Sequence, residues 1–576
     1  MRRVSSGVWP EASPAFQQAR LEANRRRVVL NWPSVSIAAI LCASNLAAVA
    51  DDQGIPVTDP VVLAKCGPCH FRDDHGRLER ISWSRATPEG WQDVVRRMIL
   101  EHGVSVSAVE ARAIVKNLSN FHGLAPAEAA PVRYIPERRI QPEANIPNDE
   151  IHTACAKCHA FALSLSWRRS GGEWRQFVTS HAARQKFPAS EESVNRLSTV
   201  LSQIAPLSTP EWESWRNHDS SDLVGRWLMT AALPGRGKYW GEMQVERTPN
   251  GDFTTRTILT SITDGSVLVR TGRGMLYGDY AWRGRSSGAS TDGGLPGDPL
   301  TEAREVMTFS AVPTSAEGRW FWGQYQEFGF DVHWQRDSAG PALLALNRSS
   351  LKAGSRGNRV RFVGYNFPAQ GTPADLDLGP GVVIRAIVSR TTRELVAEAD
   401  VASDAQLGKR SVVLHGSMLP AALAIYDRVD YVKVSPDSAV ASFSDSAHLK
   451  GYLQFECIGY QRGPDGKMHT ADDLELGPIE VTWSLQVFHA PEGSAAAEQV
   501  GTLTATGLFI PASESPNLSF DLWVSATAKS EKSPGGKALV GKSYLVVTPP
   551  TYTFNGRRYV RDLDRWIDDE PVQPGR

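Results

Sequence analysis

Two short motifs carry the residues best suited to chemistry, because each places two cysteines and a histidine close together. They read CGPCH at residues 66–70 and CAKCH at residues 155–159. In a covalent haem c site, two cysteines with this spacing attach one porphyrin and the adjacent histidine binds its iron. The sequence therefore predicts two haems c, with His70 and His159 as iron ligands and four thioether-forming cysteines: Cys66, Cys69, Cys155 and Cys158.

Cysteine pairs of this kind also occur in zinc sites and in thioredoxin-like redox proteins. Zinc requires further ligands at short spacing, and Cys66 and Cys69 have none nearby in the sequence. The motif is also doubled, and it uses four of the six cysteines in the chain. This usage favours haem. Cys457 is the spare thiol of the mature chain, and we expect it to be a small buried apolar residue.

The segments that follow the two motifs resemble each other and predict the sixth iron ligands. SWSRATPEGWQDVVRRM follows the first motif and SWRRSGGEWRQFVTSH follows the second. Trp91 and Trp174 each begin an apolar helical pattern with further members three, four and seven positions on. The position seven residues after each tryptophan holds Met98 in one copy and His181 in the other. We therefore predict His70 and Met98 on haem 1 and His159 and His181 on haem 2.

Other residues could take these positions. The rival ligands are His75, His102 and His122 for haem 1, and His152 and His218 for haem 2. Met98 could instead be an ordinary core methionine, and His181 a surface histidine. If the assignment holds, thioether ligation raises the potential of haem 1 and bis-histidine ligation lowers that of haem 2.

Helix-start signals complete the prediction for this region. Thr87 with Pro88, Ser170 with Glu173, and Ser107 with Glu110 are typical N-terminal caps, and Ser190 opens one more apolar segment. Each haem would then have a motif helix, a ligand helix and a closing helix. The sequence predicts an all-α dihaem domain over residues 51–220, built from two class I cytochrome c units joined by the proline-rich stretch 125–147.

The N-terminus predicts export. Arginines at residues 25–27 precede an apolar run at 35–46 and an AVA sequence at 48–50. This is the pattern of a cleavable secretory signal, and the run is short for a membrane span. We predict a signal peptide at 1–50, cleavage after Ala50 and a periplasmic location. The net charge of −1 and the pI of about 6.9 give no basis for nucleic-acid binding.

The remainder of the chain predicts three all-β domains, because β-branched and aromatic residues alternate between turn signals. They are an antiparallel barrel or sandwich of six to eight strands at 221–340, two immunoglobulin-like sandwiches at 341–431 and 432–553, and a tail at 554–576. Expected turns include Glu317-Gly318, and one expected strand runs from Thr502 to Leu508. The loop GPDGKMHTADD is interpreted as a long turn, with a calcium loop as the alternative.

A dihaem domain followed by a barrel and two sandwiches resembles the α-subunit of quinohaemoprotein amine dehydrogenases. The resemblance rests on the two CxxCH motifs, on TPEGW with Met98 after it, on PGRGKYWGEM and on GPDGKMHTADDLELG with VTWSLQVF. It implies a heterotrimer with a propeller-like β-subunit and a small γ-subunit that holds cysteine tryptophylquinone. It also implies oxidative deamination of primary amines, with electrons passing through the haems to a soluble blue-copper protein or cytochrome c. The catalytic residues would lie outside this chain.

Two alternatives from other functional classes stay open. One is a stand-alone dihaem electron carrier whose β domains bind a partner. The other is a dihaem peroxidase, which requires an iron with an open sixth position. Met98 and His181 argue against the peroxidase, because they predict that both irons are six-coordinate.

Overall fold

The structure is a computed structural model, and it describes residues 53–139, 143, 146–157, 159–185, 189–218, 222–290, 302–321, 329–445, 450–489, 497–513, 518–533 and 535–549. The predicted signal peptide, Cys158 and the tail at 554–576 lie outside these residues. Within the described ranges, no helix has both the length and the apolar character needed to cross a membrane.

The first part of the described chain is helical. Its helices are α1 Pro60–Cys66, α2 Pro88–His102, α3 Ala108–Phe121, α4 Pro126–Ala129, α5 Asp149–Ile151, α6 Ala162–Leu165, α7 Gly171–Arg184, α8 Glu191–Ile204 and α9 Pro210–Trp215. A 3₁₀ turn at Ala130–Val132 and a π-helical turn at His152–Ala156 accompany them. Two short strands, β1 Ser84–Ala86 and β2 Trp167–Arg169, precede the two ligand helices α2 and α7.

The predicted helix starts are present with one exception. The Thr87 side chain accepts from the Gly90 amide at the start of α2, and Ser107 and Glu110 form a complete capping box at α3. At α7 the predicted box is only half formed. Ser170 accepts from the Glu173 amide, but the Glu173 carboxylate points to Arg80, whose Nε lies 3.7 Å away.

The two helical units form the same backbone and tryptophan bonds. Trp91 Nε1 donates to the His122 carbonyl and Trp174 Nε1 donates to the Ala205 carbonyl, both at 2.8 Å. These acceptors immediately follow α3 and α8. The strands β1 and β2 pair antiparallel, with Ser84 opposite Arg169 and Arg85 opposite Arg168. This register relates the two units by a local twofold axis at the Arg85–Arg168 pair, because the first residue of each strand pairs with the last residue of the other.

The next part is a closed barrel of eight described strands. The strands are β3 Gly225–Leu233, β4 Gly237–Arg247, β5 Phe253–Ser261, β6 Val267–Tyr277, β7 Ala281–Ser290, β8 Ala303–Phe309, β9 Ser315–Phe321 and β10 Gly329–Arg336. Its interior is filled by large side chains, including fully buried Trp227, Trp282, Trp320 and Trp334. The barrel prediction is therefore confirmed, and we find a packed core.

One predicted turn in the barrel is wrong. Glu317 and Gly318 lie inside β9, where Gly318 is opposite Met307 on β8 and Val332 on β10. A Cβ atom at residue 318 would lie 2.0 Å from the Val306 carbonyl oxygen. The glycine thus permits close strand contact, which is the other use of glycine in sheets.

Two four-stranded sheets form the following unit, in the orders β11-β13-β16-β15 and β12-β18-β17-β14. Their bounds are β11 Ala342–Leu346, β12 Ser350–Lys352, β13 Asn358–Tyr365, β14 Leu376–Asp377, β15 Val382–Arg390, β16 Glu394–Val401, β17 Gly408–Leu414 and β18 Ser417–Tyr426, with a 3₁₀ turn at Pro373–Asp375. Both sheets contribute to one buried apolar core, so the unit is a sandwich. Its immunoglobulin-like character stays a prediction.

The last unit has three described sheets, ordered β19-β22-β23, β20-β28-β27-β24 and β21-β26-β25, around one core. Its elements are β19 Tyr431–Ser435, β20 Ser438–Ser442, β21 Leu453–Gln454, β22 Glu456–Gln461, β23 Leu474–Pro478, β24 Val481–His489, α10 Ala497–Val500, β25 Gly501–Leu503, β26 Leu508–Pro511, β27 Phe520–Lys532 and β28 Ala538–Thr548. The predicted strand from Thr502 to Leu508 is wrong. It is a hairpin, whose turn places Gly507 at a φ of +83°.

The helical units are fixed to the barrel by ion pairs. On α3, Arg112 and Lys116 contact the Asp252 carboxylate at 2.8 and 3.2 Å. From β7, Arg283 pairs with Glu89 in the first turn of α2. The first ligand helix and its closing helix are therefore held against a rigid sheet, which is a suitable base for a precise site.

Candidate haem-binding site

The first motif begins at the end of α1. Asp59 caps this helix by accepting from the Val61 and Val62 amides, and Val62 is fully buried. Cys66 is the last helical residue and is half-buried, whereas Cys69 is exposed. Burial, and secondarily the neighbouring Cys69, raises the pKa of Cys66 to about 11. The thiol is therefore protonated near neutral pH.

His70 has the hydrogen bond expected of an iron ligand. Its Nδ1 lies 3.1 Å from the Glu79 carbonyl oxygen. Because a carbonyl oxygen only accepts, Nδ1 carries the proton and Nε2 keeps a lone pair for a metal. Burial is the main reason that the pKa of His70 lies below its ordinary value. A neutral ring is the form that binds iron.

The second motif repeats this arrangement. Cys155 is half-buried, and burial raises its pKa to about 11. His159 Nδ1 lies 3.0 Å from the Ala160 carbonyl oxygen, which again leaves Nε2 available. The hydrogen-bond partner differs from that of His70, but the tautomer it selects is the same.

The structure brings His181 to His159. Their ring centres are 6.2 Å apart and the ring planes are inclined at 79°. Two imidazoles bound to one metal from opposite sides, with metal–nitrogen bonds of about 2 Å, have ring centres about 6 Å apart. Phe177, one turn earlier on α7, stacks on His181 at 5.5 Å. The pair therefore fits a bis-histidine iron site.

At the first site, two residues on one helix face remain candidates for the sixth ligand. Met98 is half-buried on α2, one turn after the buried Val95. His102, one further turn along, is exposed, and it lies within electrostatic range of His70. Met98 stays the predicted ligand, with His102 as its rival.

The other rival histidines lie in different surroundings. His122 is only 1% exposed and packs edge-on against Trp91. His218 stacks on Trp215 with ring centres 3.6 Å apart, after the last helix of the region. His75 and His152 are both exposed. Among the described residues, no group of three or more histidine, cysteine, aspartate or glutamate side chains is arranged to hold a metal ion.

Four family models cover most of the chain, and all four describe one protein. The haem-binding domain of the quinohemoprotein amine dehydrogenase alpha subunit matches residues 57–198. Domains II, III and IV of the same subunit match residues 220–337, 340–427 and 432–557. The chain belongs to the alpha-subunit family of quinohemoprotein amine dehydrogenases. The resemblance inferred from the sequence motifs is thus confirmed, and the family makes this alpha subunit part of an amine dehydrogenase with a haem-binding domain.

Comparisons with other known proteins add little about this alpha subunit. No curated protein matches it. Among solved structures, a de novo designed fluorescence-activating β-barrel covers 20% of the chain and 94% of its own length, at 19% identity and a TM-score of 0.15. Human protocadherin-24 EC1-2 covers 36% of the chain and 96% of its own length, at 13% identity and a TM-score of 0.15. These values are too low to support an argument about fold or function.

Sequence reasoning about the alpha subunit missed the groups that orient its histidines. The Glu79 carbonyl is a backbone acceptor nine residues from His70, and no side-chain pattern reveals it. Phe177 was visible as an apolar position of α7, but its stacking on His181 is known only from the three-dimensional structure. The acidic loop at 463–473 behaves as the predicted turn. In it, Asp473 accepts from the Tyr431 hydroxyl and from the Gly463 and Thr470 amides.

Proposed function

We propose that this alpha subunit is the electron-transfer chain of a periplasmic quinohaemoprotein amine dehydrogenase and that it carries two covalent haems c. The observation that supports this most strongly is the His159–His181 pair, whose 6.2 Å ring separation suits one iron between them. The repeated CxxCH motif and the repeated Nδ1 bonds extend the same argument to the first site.

Each residue of the two sites has a role in this proposal. Cys66 and Cys69 anchor one porphyrin, and Cys155 and Cys158 anchor the other. His70 and Met98 are the ligands at haem 1, and His159 and His181 are the ligands at haem 2. When bound, the haems supply one-electron redox chemistry at iron. The protein fixes the histidine tautomers through the Glu79 and Ala160 carbonyls and excludes water with the buried Trp91 and Trp174.

The amine chemistry belongs to a partner in this proposal. A small γ-subunit would hold the cysteine tryptophylquinone that oxidises a primary amine to aldehyde and ammonia, and a propeller-like β-subunit would complete the heterotrimer. Cys457, the spare thiol of the mature chain, is 2% exposed in a β core, and burial raises its pKa to about 12. Such a thiol is poorly placed for a quinone cross-link, which supports a quinone outside this chain.

We also propose a direction for the electrons. Bis-histidine ligation lowers an iron potential and methionine ligation raises it. Electrons would then enter at haem 2 and leave at haem 1 toward a soluble blue-copper protein or cytochrome c. A redox titration that places haem 1 below haem 2 would reverse this order.

Purification from the native host tests the proposed function. We expect the chain in the periplasmic fraction, without residues 1–50, with haem that resists denaturing electrophoresis and with a quinone-staining partner. Addition of a primary amine should reduce the haems, whereas the corresponding alcohol, as a control, should not. A chain that retains haem but purifies alone and ignores amines is the stand-alone carrier. A chain without covalent haem contradicts both proposals.

A further inference from the structure

A group of four arginines lies between the candidate iron ligands of the two haem units. We call it the arginine cluster: Arg80, Arg97, Arg169 and Arg184. On the side of haem 1, Arg97 precedes Met98 on α2, and Arg80 lies within electrostatic range of His70. On the side of haem 2, Arg184 lies within range of His181. Arg97 is in range of both Arg80 and Arg184, so the cluster connects the two sites.

The carboxylates around the cluster compensate it poorly. Glu173 is the nearest, with Oε2 3.7 Å from Arg80 Nε. Burial raises the pKa of Glu173 above its ordinary value in spite of the charges of Arg80 and Arg169. Asp93 is bonded to Arg96 instead, and Glu101 is exposed at the end of α2. The buried part of the cluster therefore lacks a strong negative partner among the described residues.

Two nitrogens of the cluster are buried without an acceptor in the described part of the chain. They are the Nε atoms of Arg97 and Arg169. The Arg169 guanidinium lies over the rings of Trp167 and Phe177, at 4.2 and 4.9 Å. Burial lowers the pKa of Arg169 to about 9. Buried donor nitrogens without an acceptor are rare in native structures, so the two Nε atoms indicate a place for an anion.

We propose that Arg97 and Arg169 form a buried anion seat, between the two units, for the carboxylate side chains of the porphyrins. This inference rests on the proposed function. Porphyrins carry carboxylate side chains, and the iron ligands of both sites lie within range of the cluster. Guanidinium groups match carboxylates in geometry and charge, and they are the usual choice for buried anions.

Redox titration of the purified haem-loaded chain tests the seat. Arg97→Gln and Arg169→Gln should each lower the midpoint potential of at least one haem, because a carboxylate left without its cation favours ferric iron. The resonance Raman bands of the propionate groups should shift in the same variants. The matched control is Arg175→Gln on α7, which removes the same charge from an exposed arginine that pairs with Glu191 at 3.0 Å. It should change neither the potentials nor the bands.

The outcomes separate this inference from the proposed function. If the glutamine variants bind both haems and match the Arg175→Gln control in potentials and bands, the seat is wrong and the electron-transfer proposal stands. Should a glutamine variant lose haem, Arg→Lys at that position decides: retained haem supports a charged seat, and loss in both variants overturns it. A shift that occurs only in the assembled enzyme assigns the seat to an acidic partner residue and also overturns the proposal.

Discussion

The two haem units share one set of bonds and differ at the last residue of their short strands, which is Ala86 in the first unit and Arg169 in the second. Arg85 in the first unit is fully buried, and its Nη1 and Nη2 bind the Glu128 carboxylate at 2.7 and 2.8 Å. Its counterpart across the local twofold axis is Arg168, whose Nε lies 3.3 Å from the same carboxylate. Arg169, the next residue, has an Nε without an acceptor among the described residues. The twofold-related arginines thus share one carboxylate, whereas the next position is a small buried apolar residue in the first unit and a cation with an unpartnered nitrogen in the second.

The difference separates the residues that stabilise the helical domain from those that border a candidate haem site. Burial alone would raise the pKa of Glu128, but bonds from Arg85 and the charges of Arg85 and Arg168 hold it below its ordinary value. Thr209 adds a hydroxyl donor at 2.8 Å. This network joins β1, α4 and the start of α9. Arg169 instead lies over the ring of Phe177, which stacks on His181, so it borders the candidate site of haem 2.

The largest effect is expected when a proposed sixth iron ligand is removed. In the haem-loaded chain, Met98→Ala should remove the low-spin spectrum of haem 1 and His181→Ala that of haem 2, because each loses its sixth ligand. Optical and electron paramagnetic resonance spectra would measure the loss. His102→Ala is the control for the first unit. If it abolishes the signal while Met98→Ala preserves it, the ligand lies one turn further along α2.

The next effect concerns the two glutamates beside the twofold axis. Glu128→Gln leaves Arg85 and Arg168 buried without a counter-charge and should destabilise the helical domain by about 3–5 kcal/mol. Glu173→Gln is the matched control and should cost little, because burial already raises the pKa of Glu173 and disfavours its charge. Denaturant midpoints followed at the haem absorbance would compare the variants. Equal losses of stability in the two variants would show that the surroundings of the two glutamates are electrostatically alike.

A smaller effect should be the same in both units. Trp91→Phe and Trp174→Phe each remove a 2.8 Å donor to the carbonyl that ends the closing helix. Each carbonyl keeps a strand amide, from Ala86 at 3.0 Å or from Arg169 at 3.3 Å. The lost hydrogen bond should therefore cost about 0.5–1.5 kcal/mol in either unit. Thermal unfolding of the two variants tests the symmetry, and a loss confined to one unit would disprove it.

Local signals in the sequence were sufficient for much of this comparison. The starts of α2, α3 and α8 follow from caps at Thr87, Ser107 and Ser190, because a cap acts within three residues of itself. The repeat of Trp91 and Trp174 was equally visible, since both begin the same helical pattern. Strand alternation predicted the antiparallel β domain but left a barrel and a sandwich open, and Gly318 resembled a turn until its close strand neighbours were known.

Tertiary contacts account for what the sequence left open. The strands β1 and β2 have three residues each, which is too short for a periodic signal, and their pairing joins distant segments. The carboxylate that Arg85 and Arg168 share comes from Glu128, which lies far from both in the chain. The hairpin after Thr502 was hidden because alternation continues through its turn, where Gly507 supplies the positive φ.

The smallest effect distinguishes the two closing helices. Glu110 of α3 accepts from the Ser107 amide and lies 3.1 Å from Lys65. These bonds, the Ser107 amide first, lower the pKa of Glu110 to about 2. A carboxyl group whose pKa is lowered on folding stabilises the fold at pH values above its ordinary pKa. This contribution disappears as the pH falls toward 2. In α8 the equivalent position is Ser193, which does not titrate. Hydrogen exchange of α3 should therefore differ between wild type and Glu110→Gln at neutral pH and converge in acid, whereas Ser193→Ala should change α8 exchange equally at every pH. A Glu110→Gln difference that persists unchanged at pH 2 would show that the carboxylate charge does not stabilise this helix start.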